Sequence, residues 1–206
     1  MDEIGMHQEE MKIAMAGDVW TGKTTLSQMF KLDKKVLDTS ATIGFDLLNK
    51  TVTVDDVKVK VFLYDMSGSE TFVTVTKNYF RIVDGIVIVY DVTKRSTFES
   101  VSNWIEWIQN ARATKYSLII IGNKIDCENE REVSSREGEI LAENNGALFY
   151  ETTSKNLKRT NGAFEMLIKQ IHCDSMFAEK KRNSNSISIS RSTCVKDKPK
   201  DGECSC

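Results

Sequence analysis

The chain has 206 residues, of which 40% are hydrophobic and 28% charged. That length holds one domain, or one domain and a tail, and that balance excludes a chain disordered throughout. A formal net charge of -2 excludes a protein that grips nucleic acid by bulk charge, and the single proline, Pro199, stands where average usage predicts about ten.

Residues 1–11 are polar and acidic, without the apolar stretch of a secretory signal. No apolar run is long enough to span a bilayer. The expected setting is the cell interior, with reduced thiols. The five cysteines agree: Cys127, Cys173, Cys194, Cys204 and Cys206 are odd in number, and three crowd into the last thirteen positions, unlike a disulfide framework.

In chain order, the β-rich runs are 12–16, 57–65, 85–91 and 117–122. The last two are continuously apolar, as suits strands buried on both faces of a mostly parallel sheet. Val57, Val59, Val61 and Leu63 alternate with Lys58, Lys60, Phe62 and Tyr64, and 51–54 alternates before them. With Asp55-Asp56 as the turn, residues 45–65 are predicted to form an edge hairpin. Phe98, Val101, Ile105 and Ile108 put an amphipathic helix over 97–112, and Phe164, Leu167, Ile168 and Ile171 mark a last helix. Helix-like stretches separate most of the strands, so the fold class is a three-layer α/β domain. Residues 1–10 read as an N-terminal extension and 11–173 as the domain. Residues 174–206 read as a Ser-rich, low-complexity flexible tail without a core of its own. That tail carries seven Lys or Arg against five Asp or Glu, so it is weakly basic and the rest acidic.

The first strand runs into Gly17, Asp18, Val19, Trp20, Thr21, Gly22, Lys23, Thr24 and Thr25. This is the phosphate-binding loop G-x-x-x-x-G-K-[ST], in its required place after a strand and before a helix. Glycines let backbone N–H groups close on phosphate oxygens, and the helix N-terminus adds its dipole. Lys23 would reach the β- and γ-phosphates, and the Thr24 hydroxyl would ligate Mg²⁺. By chance, the four fixed positions coincide in roughly 1% of chains this long. A kinase or an ATPase would share the loop. What distinguishes them is Asn123-Lys124-Ile125-Asp126, after a buried strand. A carboxylate there accepts from the guanine N1–H and amine, a donor pair adenine lacks. Thr153, Ser154 and Lys155 follow, with a backbone donor near Ser154 for the guanine O6 and a Lys155 stem to pack on the base. Asp65-Met-Ser-Gly68 ends the hairpin. Asp65 can hold Mg²⁺ through a water, the Gly68 N–H can sense the γ-phosphate, and Thr42 can supply a second hydroxyl to the ion.

Together these motifs resemble the small GTPases of the Ras superfamily, and most closely the Rab family of vesicle-traffic switches. Thr42-Ile-Gly-Phe-Asp46, Tyr79-Phe-Arg81, Val89-Tyr-Asp-Val-Thr93 and Gly122-Asn-Lys-Ile-Asp126 are similar to Rab segments over residues 11–172. The resemblance implies a P-loop NTPase fold with a six-stranded sheet and about five helices, GTP and GDP as ligands, Mg²⁺, and slow hydrolysis. It implies exchange factors, activating proteins and effectors acting on switches at about 32–43 and 66–78. It also implies prenylation escort proteins and residence on the cytoplasmic face of an endomembrane compartment, with a cytosolic pool.

The chain departs from the family at several places. Ser69 stands where the family carries the glutamine that orients the attacking water. Val19 and Trp20 stand where small residues are usual, and a branched Val19 crowds the γ-phosphate side. Lys35 takes about the place of the switch aromatic that packs on the guanine, which predicts looser base packing. The three aromatic effector positions correspond to Leu47, Tyr64 and Tyr79. Glu203 occupies the position that a C-a-a-X signal needs as cysteine, whereas Cys204-Ser-Cys206 resembles the doubly geranylgeranylated Rab ending. Two readings follow: a slowly hydrolysing GTPase, or a GTP-binding interaction module regulated by exchange alone. Outside the motifs, Trp104 and Trp107 read as packing, and Cys127 and Cys173 as buried or half-buried thiols.

Overall fold

The first strand sends alternate side chains into two separate cores, and this sets the layout. The structure, a computed structural model, describes residues 9–36, 45–66, 79–111 and 114–190. In β1 (Glu9–Ala16), Met11, Ile13 and Met15 face one core, and Ala14 and Ala16 the other. β4 (Gly85–Asp91) and β5 (Ser117–Asn123) are buried at every position and alternate in the same way. Val87, Val89, Ile119 and Ile121 join the first core, and Ile86, Ile88, Leu118 and Ile120 the second. Both faces of the sheet are therefore covered by helices, as their unbroken apolar runs predict.

On the first face, α1 (Lys23–Leu32) lays Leu26 and Phe30 against Phe164, Leu167 and Ile168, from the start of the last helix. The Phe30 and Phe164 rings stack with centroids 4.4 Å apart. On the second face, α2 (Arg95–Ala111) buries Val101, Trp104, Ile105 and Ile108. Then comes α3 (Ser135–Asn144), opened by a capping box: Ser134 accepts from the Glu137 N–H, and Glu137 accepts from the Ser134 N–H.

Six strands form one sheet in the order β2-β3-β1-β4-β5-β6, with β2 (Phe45–Val54), β3 (Val57–Met66) and β6 (Leu148–Glu151) completing it. Among the described strands, only the β2–β3 pair is antiparallel. Its turn is the expected Asp55-Asp56, with φ 46 and 65, the left-handed pair that matches strand twist in a two-residue hairpin. β1 has β3 on one side and β4 on the other, so the strand order reverses beside it. The crevice at the strand C-termini there is where ligands bind in such sheets.

The expected α/β fold and its mostly parallel sheet are thus observed. Four α-helices occur among the described residues, with one short 3-10 turn, Glu128–Glu130. About five helices are expected; residues 67–78, between β3 and β4, lie outside the described residues, and Tyr79 and Phe80 just after them are helical.

Two boundaries differ from the sequence reading. β1 starts at Glu9, inside the expected extension, because Glu9 and Glu10 pair with Val59 and Lys60 through the main chain, whatever their side chains. The chain divides into two units after Ile171. The last helix, α4 (Leu157–Ser190), continues as helix into the segment read as a flexible tail without a core of its own. Extending a formed helix costs little per residue, and Met176 to Arg182 contains good helix formers. Among the described residues no helix is long and apolar enough to cross a membrane.

Candidate nucleotide-binding site

The loop between β1 and α1 closes only because two of its positions lack a side chain. Gly17 has φ 121, and a Cβ there would lie 2.2 Å from the Val89 carbonyl oxygen. Gly22 has φ 98, and a Cβ would lie 2.3 Å from the Asn123 amide nitrogen. Gly22 is also the N-cap of α1 and offers no side-chain cap, which leaves the first N–H groups of the helix turned to whatever occupies the loop.

Asp18 is the hub of this loop. Its carbonyl accepts from the Lys23 Nζ at 2.7 Å and from the Thr21 hydroxyl at 2.9 Å. Its carboxylate accepts from the Trp104 indole at 2.8 Å. Lys23 is only 6% exposed. Burial pulls its pKa down to about 8, against the opposing pull of the Asp65 and Asp18 carboxylates. Next to it, Asp65 near the end of β3 is fully buried, and among the described residues neither of its carboxylate oxygens is in good hydrogen-bond geometry with a partner, with the Thr24 hydroxyl close by. Burial raises its pKa to about 6, although the Thr24 hydroxyl and Lys23 pull it back. A buried carboxylate beside a hydroxyl is a set of hard oxygen donors, which fits Mg²⁺. Thr24 and Thr25 begin α1 directly after Lys23. On the rim, Val19 is 39% and Trp20 66% exposed, and Trp20 holds φ 67.

At the far end of the crevice, the polar groups are held by one another. Asn123 donates to the Thr21 carbonyl at 2.8 Å, tying the end of β5 to the phosphate loop. Burial pushes the Asp126 carboxyl up, but bonds from Lys155 and Thr153 outweigh this and hold it below the usual carboxylate range. Lys155 Nζ lies 2.6 Å from one oxygen, and the Thr153 hydroxyl donates to the other. The Lys155 N–H in turn donates to the Thr153 hydroxyl at 3.1 Å. Lys124, with φ 69, reaches Asp91 at 2.6 Å. The Thr152 N–H donates to the Gly122 carbonyl at 2.8 Å and thereby sets β6 and the turn after it beside β5.

The structure thus places Gly17 through Thr25 after β1, Asp65 near the end of β3, Asn123, Lys124 and Asp126 at and after the end of β5, and Thr153, Ser154 and Lys155 after β6, all toward the C-terminal ends of the strands. Thr42, Gly68, Ser69, Cys204 and Cys206 lie outside the described residues, as do most of both expected switches. Of the expected effector positions, Leu47 is exposed, and Tyr64 and Tyr79 meet with centroids 5.3 Å apart. Lys35, the stand-in for the base-packing aromatic, is exposed. Cys127 is half-buried as expected, but Cys173 is exposed, since it falls on an outward position of α4. Trp104 packs as expected and also donates to Asp18, a role no local pattern signals because 86 residues separate the two. The Asp91 carboxylate that receives Lys124 was likewise not singled out by the sequence.

A three-layer α/β fold with this loop after its first strand, and a paired carboxylate after its fifth, defines a P-loop nucleotide-binding protein. Comparison with known proteins carries this further. A family model described as Ras family matches residues 12–173. The chain is 34% identical over 200 residues to the Ras-related protein RABA5e of Arabidopsis thaliana, covering 95% of this chain and 91% of that one. It is 33% identical over 194 residues to the Ras-related protein Rab-13 of Bos taurus, covering 94% and 95%. It is 31% identical over 188 residues to the GTP-binding protein ypt2 of Schizosaccharomyces pombe, covering 90% and 94%. The chain belongs to the Rab family of small GTPases, within the Ras family.

Proposed function

We propose that this chain binds GTP and GDP with Mg²⁺ in the crevice and acts as a membrane-anchored trafficking switch that hydrolyses GTP slowly. The observation that carries this reading is Asp126, held ionised by Lys155 and Thr153 and joined to the phosphate loop through Asn123 and Thr21. Its carboxylate accepts the guanine N1–H and amine, and adenine would leave it mispaired. The stems of Lys124 and Lys155 flank the base, and the main chain near Ser154 donates to its O6. The N–H groups from Gly17 to Thr25 cradle the phosphates, and Lys23 neutralises the β- and γ-oxygens. Thr24, Thr42 and, through a water, Asp65 would hold the Mg²⁺, which when bound supplies charge neutralisation at the phosphates. Gly68 would contact the terminal phosphate.

Slow turnover follows from Ser69, which is too short to orient water as a glutamine does, and from Val19 on the phosphate rim. Unassisted hydrolysis in Ras runs at about 10⁻⁴ s⁻¹, and an arginine supplied from outside adds roughly 10⁵. Residues 11–173 form the switch domain. The 174–206 arm would carry geranylgeranyl groups on Cys204 and Cys206 to the cytoplasmic face of an endomembrane. Exchange factors, activating proteins and effectors would engage the switches around Leu47, Tyr64 and Tyr79, and prenylation escort proteins would handle the lipidated tail.

The exposed, left-handed Trp20 on the same rim favours a second reading, an exchange-regulated module with negligible hydrolysis. Two measurements test both. Competition titration should show GTP displacing a fluorescent GDP far better than ATP does; equal displacement would refute the guanine assignment. Single-turnover hydrolysis should be slower in the natural chain than in a Ser69→Gln/Val19→Ser variant. An ordinary family rate in the natural chain would refute slow turnover, and no hydrolysis in either would favour the second reading.

A further inference from the structure

Two side chains reach into the phosphate loop from elsewhere in the fold: Asn123, from the end of β5, and Trp104, from the middle of α2. Val19 and Trp20 point to solvent, and Trp20 is held at φ 67, a conformation that bulky L-residues keep only when their surroundings over-determine it. Just before them, Asp18 is fixed at both its ends. Its carboxylate takes the Trp104 indole N–H at 2.8 Å, and its carbonyl takes Lys23 and Thr21. Trp104 is itself packed into the second core: it is 3% exposed and meets Trp107 edge-on at 5.1 Å. A buried indole N–H needs an acceptor, but nothing in packing requires that acceptor to be an ionised loop side chain.

We propose that Trp104 is a positioning residue for nucleotide binding: it pins Asp18, and so fixes the carbonyl that aims Lys23 and holds the loop against the strain at Trp20. The proposal rests on the GTP/GDP reading above. A hydrogen bond to an ionised group is among the stronger ones in a protein. Without it the Asp18 side chain turns to water, Trp20 relaxes out of the left-handed region, and the N–H groups that face the phosphates move with it.

The test uses the full-length chain loaded with fluorescent GDP and Mg²⁺, chased with excess unlabelled GDP. Trp104→Phe keeps most of the ring but removes the donor and should speed GDP release about ten-fold. Asp18→Ala, which leaves the α2 core intact and so guards against a folding failure, should do the same. The double variant should release no faster than the faster single one, because both remove one interaction. Trp107→Phe, which alters the same aromatic pair without touching the loop, should leave release unchanged. Adding Trp20→Gly to Trp104→Phe should restore slower release, because the strain that the anchor opposes is gone. Wild-type release from Trp104→Phe, equal acceleration by Trp107→Phe, or additive effects in the double variant would each overturn the anchor. Failure of the natural chain to bind GDP at all would refute the nucleotide reading and the anchor with it, so the two failures are distinct.

Discussion

The base end and the phosphate end of the crevice treat buried charge in opposite ways. At the base end each charged group has its partner in the protein: Asp126 with Lys155 and Thr153, Lys124 with Asp91. At the phosphate end two ionisable groups are buried with pKa values moved toward neutrality, Lys23 down to about 8 and Asp65 up to about 6. Among the described residues neither Asp65 oxygen is in good hydrogen-bond geometry with a partner. Burial is the main cause of both shifts, and groups so perturbed side by side are candidates for binding a charged ligand. On the function proposed above, the base end is a finished template that would select, and the phosphate end an unfinished one that would gain most when phosphate and cation arrive.

If that division is right, selectivity and affinity come apart. Asp126→Ala should erase most of the preference for GTP over ATP, a loss of about 10³-fold or more, as measured by competition titration. Lys23→Ala should weaken GTP and GDP alike, by about 10²-fold, with the GTP/ATP ratio unchanged. A Lys23 variant that shifted the ratio would break the comparison.

The Lys23 pKa adds a pH signature. Its folded value of about 8 lies below its unfolded value of 10.5. Between the two the unfolded chain binds more protons, so stability rises with pH across that window. Binding of fluorescent GDP to the empty protein should move the other way, weakening as pH rises through about 8 because the phosphates need the charged form. Lys23→Ala should abolish both slopes. A binding curve that stays flat from pH 7 to 9.5 would show that the lysine is not the titrating group.

The base end was the more legible of the two in the sequence. Asn123 to Asp126 follows a run so continuously apolar that a buried strand was the natural reading, and β5 is buried throughout. The glycines of the phosphate loop were legible for the same local reason, since their spacing carries the geometry. What escaped notice was tertiary. Trp104 shows an ordinary helical period, and only the fold brings it to Asp18. Glu9 and Glu10 look like extension because main-chain pairing leaves no mark on side-chain pattern. The reach of α4 to Ser190 is hidden because its Ser- and Asn-rich stretch resembles a linker, whereas the preceding turns carry the helix on.

One substitution made at both ends sharpens the comparison furthest, because it should change sign. Each end holds one non-glycine residue in the left-handed region, Lys124 at φ 69 and Trp20 at φ 67. Replacing either by glycine relieves about 1–2 kcal/mol of backbone strain and loses about 0.4–1 kcal/mol through the freer unfolded chain. At Lys124 the change also strips the buried Asp91 of its ion-pair partner, 2.6 Å away, leaving Thr93 as its remaining side-chain donor. Orphaning a buried charge costs about 3–5 kcal/mol in full burial and less here, where the lysine is partly exposed, so Lys124→Gly should destabilise by about 2 kcal/mol. At Trp20 the side chain is mostly in water and little packing is lost, so Trp20→Gly should stabilise by about 0.5 kcal/mol, or about 1–2 °C in thermal midpoint. Thermal melts of the two single variants decide it. Destabilisation by Trp20→Gly would mean that the indole packs on the loop and that the phosphate end is as self-satisfied as the base end.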